Sequence, residues 1–120
     1  MTVSNPEVRR WLEQERDWGL RARAMLARRR PQNAREVHGL DRFALRMGLV
    51  ELTGSVAAWA NGLHSGLLKW EEPEAAARFA VGPPFAATEP GQADYDRLTD
   101  YLQERIELLR RLLAGEPIES

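Results

Sequence analysis

Apolar positions recur at helical spacing through most of the chain. From Val8 the stripe runs through Trp11, Leu12, Trp18, Gly19, Ala22, Met25 and Leu26, and it stops before Pro31. Ser4 and Glu7 stand in capping-box spacing with Pro6 at a first-turn position, so a helix is predicted over residues 5 to 30. Asn33 is placed to cap a second helix, whose stripe Val37, Leu40, Phe43, Ala44 and Met47 widens further on. Between Phe43 and Leu63 the only charged residues are Arg46 and Glu51, which marks a buried central helix over residues 34 to 63. Gly62 and Gly66, flanking His64 and Ser65, predict its end or a hinge.

Pro73 followed by Glu74 and three alanines predicts a short helix over residues 73 to 80, stopped by Gly82, Pro83 and Pro84. A last helix is predicted over residues 92 to 114. It carries Tyr95, Leu98, Leu102, Ile106, Leu109 and Leu113 on one stripe and Tyr101, Leu108 and Leu112 on a second, and it ends at Gly115 and Pro117. No alternating strand pattern and no internal repeat is present. The expected fold is all-α: one domain over residues 1 to 120, a small bundle of three long helices and one short one, with the first two antiparallel because only Pro31, Gln32 and Asn33 separate them.

Composition narrows the chemistry. The 120 residues are 43% hydrophobic and 29% charged, a globular balance, and contain no cysteine, which excludes disulfide scaffolds, thiolate zinc sites and thiol catalysis. With no apolar signal core near the start and the most apolar stretch interrupted by Arg46 and Glu51, a cytoplasmic protein that does not enter the membrane is expected. No nucleophile elbow, phosphate-binding loop, dinucleotide fingerprint or His-Glu-x-x-His helix occurs. The spacing that a helical metal site needs is largely missing around His38 and His64, with Asp41, three positions after His38, a single possible partner, so no catalytic, cofactor or metal residue is assigned.

Charge is unevenly spread. Through Arg46 there are eleven basic and six acidic residues, and beyond it six and twelve, so a net charge of −1 conceals halves of +5 and −6. Arg21, Arg23, Arg28, Arg29, Arg30 and Arg35 form a run without an intervening acid. Such a run binds phosphates by counterion release and forked hydrogen bonds, or else simply keeps a surface solvated. Asp17, Gly19, Arg21, Arg28 and Arg29 resemble the start of the small helical subunit of CRISPR Cascade complexes, a likeness covering about a tenth of the chain. That resemblance implies binding to a nucleic-acid backbone within a larger complex.

Three further features bear on function. Glu15 and Glu51 sit on apolar stripes, so each buried carboxylate is expected to have an arginine or hydroxyl partner, Arg46 suiting either, or to sit at a water-lined cleft. Trp11 and Trp18 share one face and suit a core or an interface, whereas Trp70 and Phe85 lie beside turn signals. The second stripe of the last helix, together with Leu45, Leu49, Leu52, Val56 and Trp59 on the central one, exceeds what a single neighbour would cover. Tyr101, Leu108, Leu112, Leu49, Leu52 and Trp59 are therefore expected to form an oligomer interface. The leading functional expectation is a non-enzymatic interaction module in a homo-oligomer or with a protein partner; nucleic-acid binding is the alternative, and an acid-base enzyme using Glu15, Glu51 or His64 a third.

Overall fold

A computed structural model describes residues 3, 5–29, 42–80, 82–83 and 92–115, with the side chains of 29, 42–47 and 92 left aside. Within them the chain is all-helical: α1 (Pro6–Arg29), α2 (Arg42–Lys69), α3 (Pro73–Ala77) and α4 (Gln92–Ala114), with no strand among the described residues. Asn5 provides the N-terminal cap of α1, its Oδ1 accepting the Glu7 N–H at 2.9 Å, and Pro6 takes the first helical position where no N–H is needed. Ser4, Asn33, His38 and Phe85 lie outside the described residues, as does the predicted helical stretch 34–41.

α1 runs antiparallel to both long neighbours. Against α4, Arg9 Nη2 donates to the Leu113 carbonyl at 2.6 Å at one end, and Arg23 Nη1 donates to Gln103 Oε1 at 2.5 Å further along. Between these points Gly19 lets the helices close up, because a Cβ there would lie 3.0 Å from Ile106 Cγ1 and 3.1 Å from Trp59 Cζ2. Arg9 also reaches the Val3 carbonyl at 3.2 Å, so one guanidinium ties the segment before α1 to the negative end of α4.

Against α2, Trp11 lies on Gly66 and Trp18 on Trp59, which confirms the antiparallel pairing of the first two long helices. α2 extends to Lys69 instead of ending near residue 63. Gly66 is a packing position and not a hinge: a Cβ would stand 2.5 Å from Trp11 Cη2, so only glycine lets the indole rest on the α2 backbone. The helix stops with a paired closure in which the Glu72 N–H reaches Leu67 O at 2.8 Å and the Glu71 N–H reaches Leu68 O at 3.1 Å. Glu71 occupies the left-handed position of this closure, φ 62°, where glycine is usual. The short α3 follows directly, burying Ala75 and Ala76, and Phe79 just beyond it is buried too.

The core is continuous through the bundle. Leu12, Leu26, Leu49, Val56, Leu63, Leu67, Leu98, Leu102, Leu109 and Leu112 are all within 1% of full burial. This corrects the expectation of a surplus apolar face on α4 and α2. Leu49, Leu52, Trp59, Tyr101 and Leu112 are buried within the single chain, and Leu108 is half-buried. On α4 the guanidinium of Arg105 lies 3.7 Å above the Tyr101 ring centroid and covers it.

Candidate functional site

The sequence-nominated groups separate in space. Glu51 is exposed on α2, contrary to the expected burial, and the Arg46 side chain lies outside the described residues. His64 is a helical residue whose Nδ1 carries the proton donated to the Ala76 carbonyl at 2.7 Å, joining α2 to α3. Thirteen residues of helix place Glu51 about 20 Å from His64 along the axis, so no cleft gathers Glu15, Glu51 and His64 for acid-base work. Among the described residues no group of three metal-ligating side chains converges, and no helix is long and apolar enough to cross a membrane.

The arginine run divides likewise. Arg21 and Arg28 are exposed at a spacing of seven on one stripe of α1, whereas Arg23 turns to Gln103 on α4. The Arg29 side chain, Arg30 and Arg35 lie outside the described set. Trp70 is 39% exposed at the end of α2, close to Leu68 at 49%; Val50 is the third large apolar side chain left open among the described residues.

What the helices do assemble is a cleft between α1 and α2. One lobe, about 320 Å³, is lined by Trp18, Arg21, Ala22, Met25, Leu52, Ser55 and Val56. A second, about 400 Å³, adjoins it through Trp18 and Ser55 and reaches Glu15, Ala58 and Trp59. Half-exposed Trp18 stacks there on buried Trp59, with ring centroids 5.4 Å apart and planes inclined by 28°. The Trp59 indole N–H donates to the Glu15 carbonyl oxygen at 3.1 Å and locks the register of the two helices. Burial raises the pKa of the half-buried Glu15 carboxyl above its ordinary value, while the indole groups of Trp11 and Trp59 oppose the shift by hydrogen bonding.

Chemically, this is an apolar trough with a charged rim. Trp18 and Met25 remain half-exposed over buried Ala22, Leu52, Val56 and Trp59. Arg21 lines it on the α1 side and Ser55 on the α2 side; exposed Arg28 and Glu51 continue their two stripes one turn beyond the lining. Sequence reasoning assigned Trp18 to a core or interface and Arg21 to a phosphate site, but did not join them. The useful signal was small Ala22 between Trp18 and Met25 on one stripe, which leaves a depression where a bulky residue would fill the face.

Comparison with protein-family models, with curated proteins and with solved structures found no match. The resemblance to the Cascade small subunit therefore rests on its five residues alone. Of those, Gly19 has a structural explanation in the approach of Ile106 and Trp59.

Proposed function

We propose that this chain is a non-enzymatic helical interaction module, acting in the cytoplasm, that engages a protein partner through the α1–α2 cleft. The observation that carries the reading is the half-exposed pair Trp18 and Met25 standing over an apolar floor. Aromatic and methionine side chains in a concave apolar setting with a polar rim are the usual anchors of protein interfaces. A different protein is favoured over a second copy, because Leu49, Leu52, Trp59, Tyr101 and Leu112, first expected to drive self-association, are buried in the chain's own core.

The test is isolation of the chain from its host after nuclease treatment, comparing wild type with Met25→Glu. The expected result is a protein retained by the wild type and lost from the variant, with both giving the same helical circular dichroism. Retention of the same protein by Met25→Glu would remove the cleft from the account.

A second reading, binding to a nucleic-acid backbone, draws on the exposed Arg21 and Arg28. It requires that labelled oligonucleotides bind at low salt and that Arg21→Ala with Arg28→Ala weakens them and flattens the salt dependence. Absence of binding at low salt excludes it.

A further inference from the structure

We infer that the occupant of the α1–α2 cleft is an amphipathic α-helix of the partner, lying along the trough with an acidic flank against Arg21 and Arg28. This rests on the interaction reading above and specifies what that site takes.

The shape of the cleft selects a helix. Its two lobes adjoin at Trp18 and Ser55 along the α1–α2 seam, the second opening more widely to solvent. From Glu15 to Met25 the α1 wall advances about 15 Å, and the i, i+3 or i+4, and i+7 anchors of a docking helix span about 10.5 Å. Both walls are helices whose backbone groups are bonded internally, so an added strand would find no edge to pair with. The indoles of Trp18 and Trp59 stack on each other, which closes the slot between rings that a polyproline segment needs. A helix laid over Trp18, Met25 and Val56 meets side chains at its own period and completes a fourth position beside α1, α2 and α4.

Charge sets the orientation of its flanks. Arg21, Met25 and Arg28 share one stripe: Arg21 lines the trough, and Arg28 continues its edge just past Met25, about 10.5 Å further along the helix. Neither is in an ion pair among the described residues, and the α2 residue of the lining nearest the rim is the neutral Ser55. A docking helix with Asp or Glu toward α1 pairs both arginines at the rim of an apolar contact, which fixes register and raises the association rate.

A photoreactive benzophenone amino acid placed at Met25, at Ala58, or at Asp100 on the far helix α4 tests this in the full chain within its host. Expected are adducts from positions 25 and 58, and none from 100, to a single protein segment. Mass spectrometry should show that segment with apolar residues at helical period and an acidic residue next to the position-25 contact. Arg21→Glu with Arg28→Glu should lower adduct yield about tenfold, and the two lysine substitutions should hold it within about threefold. Adducts to a segment lacking helical period, to a second copy of this chain, or insensitive to the arginine reversals would overturn the inference while leaving a protein interface at the cleft. Nucleotide adducts, or none at 25 and 58, would overturn the interaction reading with it.

Discussion

Gly66 gives the most specific structural prediction, because its role reverses the usual effect of glycine in a helix. Replacing an interior helical glycine by alanine ordinarily stabilises by about 0.5–1 kcal/mol, through reduced freedom of the unfolded chain and better helix propensity. At Gly62, where an added Cβ meets nothing within 4 Å, Gly62→Ala should show that gain in full. At Gly66 the same methyl group would come within 2.5 and 2.7 Å of Trp11 ring carbons, distances that real contacts do not reach. The indole must move off α2, and overpacking of this kind costs about 1–3 kcal/mol. Subtracting the helical gain leaves Gly66→Ala about 1 kcal/mol less stable than wild type, with up to about 2 kcal/mol expected if Trp11 loses its contact altogether. Urea unfolding followed by circular dichroism measures both variants. In a Trp11→Ala background, Gly66→Ala should turn stabilising, giving a coupling energy of about 2 kcal/mol between two residues 55 positions apart. If Gly66→Ala is as stabilising as Gly62→Ala, Trp11 does not rest on Gly66 and the α1–α2 register that builds the cleft is wrong.

Glu71→Gly should stabilise by about 0.5–1 kcal/mol in the same assay, since glycine removes the left-handed strain at φ 62° and returns part of the gain as unfolded-chain entropy. Arg9→Met keeps the aliphatic stem but removes the donors to Leu113 O and Val3 O, and should cost about 1 kcal/mol, read as a lower urea midpoint. Glu15 carries a raised pKa, so the folded chain holds that proton more tightly than the unfolded one, and stability is lost as pH rises through the folded value. Glu15→Gln should therefore melt higher than wild type at neutral pH, with the difference vanishing once pH falls below the ordinary value of 4.5; an unchanged difference at all pH values would contradict the burial of that carboxyl.

The helices themselves were readable because amphipathic period and end signals agree locally. α4 runs over the predicted residues 92 to 114, and α1 begins one residue after its predicted start, its predicted last residue Arg30 lying outside the described residues. The end of α2 was not readable, since Gly62 and Gly66 look like breakers until the indole of Trp11 is known to lie on the second of them. Glycine in a helix reports a close neighbour only when the neighbour can be named, and Trp11 lies far away in the chain. The same gap explains the misplaced interface. Stripe width on α4 was correctly read as apolar, but Tyr101 is covered by Arg105 four residues on, and Leu112 by core residues of other helices that a wheel of α4 alone does not display. Trp18 was visible as an anchor, yet the cleft depends on its facing Trp59, and the register of α1 on α2 is set by tertiary contacts.

The central claim is that the α1–α2 cleft is where this chain meets another protein. The direct measurement is the mass of the native species recovered from its host after nuclease treatment, determined by light scattering for wild type and for Met25→Glu. The account predicts a wild-type particle heavier than the 13.6 kDa chain by the mass of a different protein, and a variant that runs at 13.6 kDa with its helical content unchanged. A wild-type particle of one chain alone, of copies of this chain alone, or of unchanged mass in Met25→Glu would contradict it.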